Sequence, residues 1–170
     1  NDIYYAGLLH DVGKIRIPVS IINKPGKLTE EEYEQIKVHP ITSYHILKDI
    51  YDDKQIALGA KFHHERFDGK GYPNGLQQDN IPEIARIIGV ADTYDAMASN
   101  RSYRKALPQD VIRSEIDKGK GTQFDPQIAD IMLQMIDEDK FYTLKESKSL
   151  HKRVLIVDDE SMNIKIIELI

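Results

Sequence analysis

The sequence predicts an all-α domain followed by a short fragment with an α/β pattern, and three observations carry this prediction. Apolar residues recur at helical spacing through residues 1–144, and no convincing strand pattern occurs there. The β-branched run 154–157, closed by an acidic turn, then marks a change of character. A polar stretch separates the two parts. We therefore expect a domain over 1–144, a linker over 145–151 and an incomplete second unit over 152–170.

The composition narrows the class of protein. The chain has 170 residues, of which 41% are hydrophobic and 30% charged, a balance typical of a globular domain. The net charge of −5 is spread without long runs of one sign, so we expect neither a nucleic-acid polymer nor a membrane as a partner of this segment. The absence of cysteine excludes disulfides and thiolate metal sites and fits a cytoplasmic location. The chain starts without Met, and we expect it to be an excerpt of a longer protein.

The first half of the domain is predicted to deliver polar side chains at helix ends. Residues 3–9 are typical of the end of a buried helix that runs into His10 and Asp11. Thr29, with Glu three residues later, forms a capping box, and the short helix that it opens should stop at His39 because a proline follows. A further helix should end at 63–64 and lead into a glycine-rich loop.

Three helices are predicted after the loop. Pro82 suits the start of a central helix of about four turns, and Pro108 the start of the next. Asp125 should cap the last helix. The apolar stripe of the central helix is Ile84, Ile87, Ile88, Ala91, Tyr94 and Ala98, and that of the last helix is Ile128, Ile131, Met132 and Met135.

Histidines and carboxylates at helix ends predict a metal centre without thiolates. The four histidines at such ends or junctions are His10, His39, His63 and His64. Adjacent ligating side chains, as in His-Asp and His-His, can occupy neighbouring positions around a metal pair. Asp92 interrupts an apolar stripe, and a buried carboxylate without a cation is costly. We interpret the two remaining histidines, His45 within a helix and His151 in the linker, as structural.

Cationic side chains near this cluster indicate a phosphate-containing substrate. Lys14 follows the first histidine by one helical turn, and Gly13 should leave room for a bulky anion. Asp95 shares a helix face with Asp92 and is a candidate second-layer ligand or proton donor. A cluster of three cationic residues and one tyrosine follows that helix and suits a phosphodiester clamp. Its members are Arg101, Tyr103, Arg104 and Lys105.

Six motifs, in this order along the chain, resemble those of the HD-GYP family. They are His10-Asp11-Val12-Gly13-Lys14, His39-Pro40, the segment 63–73 with its Gly71-Tyr72-Pro73, the segment 91–96, the segment 101–105 and the segment 121–126. The resemblance covers roughly residues 1–140 and implies an HD-type helical bundle with a metal site at its centre. It further implies hydrolysis of cyclic di-GMP, usually with iron or manganese. Ser43, where the family usually has Gly, and Phe67, where Trp is common, depart from the pattern.

The resemblance assigns roles to single residues. It implies that the metal ligands are His10, Asp11, His39, His63, His64 and Asp92. Lys14 and Asp95 would act in catalysis, and Tyr72, Arg101 and Arg104 would bind substrate. Two divalent ions are expected. In some family members an upstream helix supplies ligands for a third, and because this chain starts after that helix the third metal stays open.

The second unit resembles the first strand and helix of a response-regulator receiver domain. Its acidic pair, Asp158 and Asp159, corresponds to residues that help to bind magnesium in such domains. About twenty residues cannot form a receiver core, so we expect no phosphorylation response from this fragment.

Three functions remain open at the level of sequence. The favoured interpretation is metal-dependent hydrolysis of cyclic di-GMP to pGpG, with further cleavage to GMP undecided. A non-catalytic cyclic-dinucleotide sensor, or a docking module for diguanylate cyclase domains, would need the same pocket. A phosphodiesterase for cyclic GMP-AMP would share the Gly-Tyr-Pro loop. A homodimer is compatible with each of the three.

Overall fold

The computed structural model describes residues 2–50, 54–100 and 105–139 in full, together with the backbone of two C-terminal strands. The helices are α1 (Asp2–Leu9), α2 (Val19–Ile22), α3 (Glu30–Ile36), α4 (His39–Leu47), α5 (Lys54–Phe62), α6 (Glu83–Ala98), α7 (Gln109–Gly119) and α8 (Pro126–Glu138), with 3₁₀ helices at Val12–Arg16 and Gln78–Asn80. Within 2–139 the described residues form no strand, so the predicted helical domain is confirmed. None of the described helices is long and apolar enough to cross a bilayer.

Helix α6 lies at the centre because it contributes to two apolar cores. Its first half packs with α1, α4 and α5 around Ala6, Leu47, Ile56, Ala60, Ile84 and Ile88. Its second half packs with α7 and α8 around Val90, Tyr94, Ile112, Ile116, Leu133 and Ile136. Asp92 lies four residues after Ile88, the last α6 residue of the first core, and between Val90 and Tyr94 of the second core.

The predicted helix starts are confirmed where capping residues close in the sequence determine them. The Thr29 hydroxyl accepts from the Glu32 N–H at 3.2 Å, while the Glu32 carboxylate accepts from the Thr29 N–H at 2.7 Å. Asp125 caps α8 by accepting from the Gln127 N–H at 2.8 Å. Prolines directly precede α6 and α7 as N-cap residues. Side chains and backbone within a few residues are enough to fix these boundaries.

Three expectations about helix faces and ends are wrong. Helix α3 ends at Ile36, and His39 instead begins α4, because Pro40 fits the first turn of the following helix. On α8, Ile131 is 59% exposed and Met135 45%, and the buried face is rotated by one residue. That face consists of Ala129, Leu133 and Ile136. On α6, Ala91 is exposed, whereas Ala85 and Val90 are buried.

Helix α1 is less buried than the sequence predicts. Of its residues, Ala6 is the one that is fully buried, while Ile3 is 53% and Tyr4 66% exposed. The helix therefore contacts the bundle through a narrow face.

The C-terminal fragment differs from the expected strand and helix. Strand β1 (Lys152–Ile156) lies at the predicted strand, but the described part of the expected helix is a second strand, β2 (Lys165–Leu169). The two pair antiparallel, from Lys152 opposite Leu169 to Ile156 opposite Lys165. A lone strand leaves its backbone N–H and C=O groups unpaired, and pairing with segment 165–169 satisfies those on one edge of β1. Asp158, Asp159 and the linker lie outside the described residues.

Candidate metal centre

Four separate elements bring the six predicted ligands together. His10 and Asp11 lie in the turn after α1, His39 is the first residue of α4, and His63 and His64 follow α5 directly. Asp92 comes from the middle of α6. The ligating atoms form two groups, in each of which all atoms lie within 4.8 Å of one another. The larger group is Asp11, His39, His63 and His64, and the smaller is His10, Asp11 and Asp92.

Asp11 belongs to both groups and joins them. Its Oδ1 lies 3.2 Å from His39 Nε2 and 3.9 Å from His63 Nε2. Its Oδ2 lies 3.3 Å from His10 Nε2, which is itself 3.6 Å from an Asp92 oxygen. One carboxylate thus presents one oxygen to each group, the arrangement that a bridging ligand between two cations requires.

Three of the imidazoles are held in the same way by their own helix ends. The Nδ1–H of His10 donates to Gly7 O at 2.7 Å, that of His39 to Ile36 O at 2.7 Å, and that of His63 to Ala60 O at 2.8 Å. Each acceptor lies three residues earlier. A proton on Nδ1 leaves the Nε2 lone pair free, which is how histidine ligands are oriented towards a metal.

Unsatisfied polar atoms show that the cluster fits cations. His39 Nε2 and His63 Nε2 lie 3.5 Å apart, yet with both protons on Nδ1 neither can donate to the other. His10 Nε2 and Asp11 Oδ1 are buried and have no partner of hydrogen-bonding geometry among the described residues. Buried polar atoms are rarely left so, and divalent ions held by nitrogen and oxygen would satisfy them.

Shifted pKa values keep four of the candidate ligands in the protonation state that metals bind. Burial and the neighbouring imidazoles keep the pKa of His63 well below its usual value and lower that of His64 to about 4. Burial would raise the pKa values of Asp11 and Asp92, but the adjacent histidines outweigh it and lower both. Neutral imidazoles and ionised carboxylates are the ligand forms that metals bind.

His10 is the exception among the six predicted ligands. Burial lowers its pKa, but the carboxylates of Asp11 and Asp92 outweigh this effect and raise it to about 9. The two carboxylates that raise this pKa are the same ones that would hold a cation in the smaller group, so a bound cation would compete with protonation of His10.

Gly13 has a different role from the predicted one. A Cβ at this position would lie 2.1 Å from His39 O and 2.6 Å from Ser43 N, so the glycine permits close contact with α4 and leaves no room for an anion. Its N–H donates to Ser43 Oγ at 2.8 Å. Ser43, which departs from the family pattern, thereby links the turn of His10 and Asp11 to the helix of His39.

The other predicted residues lie at different distances from the cluster. Lys14 forms an ion pair with Asp11 Oδ2 at 2.5 Å and is 35% exposed, so it reaches the edge of the centre. Asp95 is exposed one turn beyond Asp92, where its carboxylate accepts from Ser99 Oγ at 3.3 Å, and the structure does not bring it into either ligand group. Arg101 and Arg104 lie outside the described residues.

Tyr72 forms one wall of a cavity beside the metal cluster. Its ring stacks on that of His64, with centroids 4.8 Å apart and planes inclined by 26°. The cavity has a volume of about 340 Å³, and its lining includes His64, Asp92, Tyr33, Phe67, Tyr72 and Gln123. Ligand sites typically combine such aromatic walls with a few polar groups.

Two residues near the cavity were missed by the sequence reasoning. Both oxygens of Glu65, which is 8% exposed, accept backbone N–H groups of the glycine-rich loop, from Asn74 at 2.6 Å and Leu76 at 2.9 Å. The Lys37 ammonium lies 5.3 Å from the Tyr33 ring and 6.0 Å from the Tyr72 ring. A carboxylate directly after two histidines was a visible signal for Glu65. The position of Lys37 depends on how α3 packs, which no local pattern indicates.

Comparison with known proteins finds a matching family model and several similar proteins. A model of the HD domain family matches residues 1–128. The chain is 44% identical over 132 residues to the cyclic di-GMP phosphodiesterase response regulator RpfG of Xanthomonas campestris, covering 76% of this chain and 35% of that protein. It is 40% identical over 140 residues to a cyclic di-GMP phosphodiesterase of Thermotoga maritima, covering 81% and 38%.

Relatives named for a different cyclic dinucleotide also match. The 3'3'-cGAMP-specific phosphodiesterase 2 of Vibrio cholerae is 41% identical over 137 residues, covering 78% of this chain and 26% of that protein. The chain thus spans 26–38% of the length of these three relatives. A solved structure of a Vibrio cholerae cyclic GMP-AMP phosphodiesterase has a similar fold, with a TM-score of 0.63 at 19% identity, over 86% of this chain and 40% of that one. The residues of both candidate ligand groups lie within the matched range. Because the HD domain model matches residues 1–128, the chain belongs to the HD domain family.

Proposed function

We propose that this chain is a phosphodiesterase domain of the HD-GYP type that hydrolyses cyclic di-GMP. The observation that carries the proposal is the pair of ligand groups joined by Asp11, beside a cavity walled by Tyr72. Two ligand groups that share a carboxylate suit two-metal phosphodiester hydrolysis. Relatives named as cyclic di-GMP phosphodiesterases, at 40–44% identity, support the choice of substrate.

The six clustered side chains would hold two divalent ions, and the resemblance to the HD-GYP family implies iron or manganese. The mixed imidazole and carboxylate donors are compatible with both metals. When bound, such ions supply Lewis acidity towards a phosphoryl oxygen and lower the pKa of water. Asp11 would keep the two groups at a fixed separation, and the Nδ1 hydrogen bonds would hold three of the rings.

The remaining side chains would bind and orient the substrate. Lys14, at the edge of the centre, would stabilise negative charge that develops on the phosphoryl group. Tyr72 would pack against a base. Lys37 beside it, whose ammonium also forms an ion pair with the exposed Glu34, would attract the dianionic substrate. Arg101 and Arg104 keep their proposed role as a phosphate clamp, and Asp95 its proposed role as a proton donor.

Cyclic GMP-AMP is the second candidate substrate. It is favoured by the relative named for that compound, whose 41% identity lies between those of the two cyclic di-GMP relatives cited above. Both compounds contain a guanine and a cyclic phosphodiester backbone, so the metal centre cannot discriminate between them. Discrimination would arise in the cavity, where the second base is recognised.

The test is turnover by metal-loaded protein with both dinucleotides. The 170-residue chain is purified without oxygen, its metal content is determined, and it is incubated with Mn²⁺ or Fe²⁺ and either cyclic di-GMP or cyclic GMP-AMP. Chromatography should show pGpG from cyclic di-GMP, formed faster than the product of cyclic GMP-AMP. A metal-loaded protein that binds cyclic di-GMP without cleaving it would overturn the proposal and indicate a sensor.

A further inference from the structure

A mostly buried ion pair outside the ligand cluster joins α6 to the start of α8. Arg86 on α6 donates to the Oδ2 of Asp125, and the two side chains are only 16% and 8% exposed. The same Arg86 nitrogen also lies 3.0 Å from Asp79. The other Asp125 oxygen accepts from the Gln127 N–H at 2.8 Å as the cap of α8. Asp125 therefore has two separable functions, a helix cap and an ion pair.

The segment just before Asp125 is bonded to the loop that carries Tyr72. The Asp68 N–H donates to Thr122 O at 2.8 Å, and the Phe67 N–H donates to Gln123 O at 3.2 Å. Phe67 O in turn accepts from the Gln78 N–H at 3.2 Å, where the loop returns. A displacement of 122–125 would thus be transmitted to both ends of the Tyr72 loop.

The last step leads from the loop to the metal centre. The Tyr72 N–H donates to His64 O at 3.2 Å, and the Tyr72 ring stacks on the imidazole of the same His64. His64 is a predicted ligand, so these two contacts tie Tyr72 to the centre, and a shift of the loop that carries Tyr72 would disturb both of them.

We propose that Asp125 and Arg86 are positioning residues that hold the Gly-Tyr-Pro loop so that Tyr72 faces the substrate. This inference rests on the proposed hydrolysis of a cyclic dinucleotide. Neither residue belongs to either ligand group, although both line the cavity beside Tyr72. Their effect on Tyr72 passes through the loop, by the hydrogen bonds that Asp68 and Phe67 donate to Thr122 and Gln123 and by the contacts of Tyr72 with His64. It concerns recognition of the base rather than attack on the phosphate.

The variant Asp125→Asn separates the two functions of this side chain, because Asn caps helices about as well as Asp but carries no charge. Its kcat/KM for cyclic di-GMP should fall by about 10-fold or more, since small misplacements of positioning groups cost that much. Its metal content should equal that of the parent chain. Hydrolysis of bis(p-nitrophenyl) phosphate, a small ester whose rings are not held in the fixed geometry of a cyclic dinucleotide and so depend less on where Tyr72 lies, should change by less than about threefold.

Arg113→Gln is the matched control. Arg113 forms a bidentate ion pair with Asp137 at 2.6 and 2.9 Å, which also joins α8 to a neighbouring helix but lies exposed and far along α8 from Asp125. Both activities should stay unchanged in this variant. If Asp125→Asn does not fold, the double variant with Arg86→Gln also removes the largely buried charge that has lost its partner Asp125, and it should show the same selective loss.

The following outcomes would contradict either the positioning role or the proposed function. Equal losses on both substrates, loss of metal, or unchanged kinetics with cyclic di-GMP would overturn it. If the parent chain cleaves only the nitrophenyl ester, the proposed function fails, and calorimetric binding of cyclic di-GMP to the Mn²⁺-loaded protein then tests the positioning role separately. A parent chain that shows no binding either would overturn both.

Discussion

The Oδ1 of Asp11 lies 3.2 Å from the Nε2 of His39, on the side of the carboxylate that faces away from His10. This contact makes Asp11 the member common to both ligand groups, whereas each histidine belongs to one. The groups should therefore respond differently to the loss of single side chains.

We predict that Asp11→Ala loses both metals and that His39→Ala loses mainly one. Hydrolysis of cyclic di-GMP should fall by at least 10–100-fold in both variants, because loss of a ligand or its support typically has this effect. Elemental analysis of the anaerobically purified variants measures the difference. His45→Ala is the control, since His45 is exposed on the same helix as His39. Full metal content in Asp11→Ala would contradict the shared-ligand arrangement.

Tyr72 should act through its ring rather than its hydroxyl group. The stack on His64 places an aromatic face at the cavity wall, and base–aromatic stacking is worth about 1–3 kcal/mol. Tyr72→Ala should therefore raise KM for cyclic di-GMP by about 5-fold or more, while Tyr72→Phe stays near the parent value. Tyr4→Ala, at a 66% exposed position on α1, serves as the control. Equal KM values for Tyr72→Ala and Tyr72→Phe would argue against stacking.

The sequence predicts what local chemistry decides. The capping box at Thr29 and the cap at Asp125 are correctly located, and the six predicted ligands lie close together, because each depends on residues nearby in the chain or on a recognisable motif. The buried face of α8 is mispredicted because two helical patterns, one residue apart, compete on that helix. Periodicity alone does not separate the two faces, and the face that packs with Ile112 and Ile116 of α7 is the one with Ala129, Leu133 and Ile136.

Long-range contacts account for what the sequence does not reveal. Gly13 is required by the backbone of α4, which lies about thirty positions away in the chain and comes close only on folding. The proximity of Lys37 to Tyr72 is of the same kind. Neither contact is indicated by the residues next to Gly13 or Lys37 in the sequence.

Lys37 is expected to assist binding of the dianionic substrate electrostatically. Lys37→Ala should raise KM for cyclic di-GMP by about 2- to 5-fold without changing metal content, and the difference from the parent chain should shrink as ionic strength rises. Lys118→Ala removes the same charge at a 67% exposed position on α7 and should have no comparable effect. KM values measured at low and high salt test this, and a salt-independent loss of kcat would instead place Lys37 in the support of the cavity.

Gly13→Ala should disrupt the junction between the His10–Asp11 turn and α4. The added Cβ would lie 2.1 Å from His39 O and 2.6 Å from Ser43 N, and both are backbone atoms that cannot move aside as a flexible side chain would. Such overpacking typically costs about 1–3 kcal/mol or more of unfolding free energy. Since the backbone of His39 would be displaced, metal content should fall as well.

Gly7→Ala is the matched control for this steric argument. It makes the same substitution on α1, six positions earlier, where a Cβ would meet nothing within 4 Å. Because Ala is favoured over Gly in a helix by about 1 kcal/mol, this variant should be as stable as the parent chain or more so. Urea denaturation and metal analysis of the two variants, side by side, measure both effects. A Gly13→Ala protein with parental stability and metal content would mean that the turn and α4 can separate without cost, and the contact between Asp11 and His39 would then need another support.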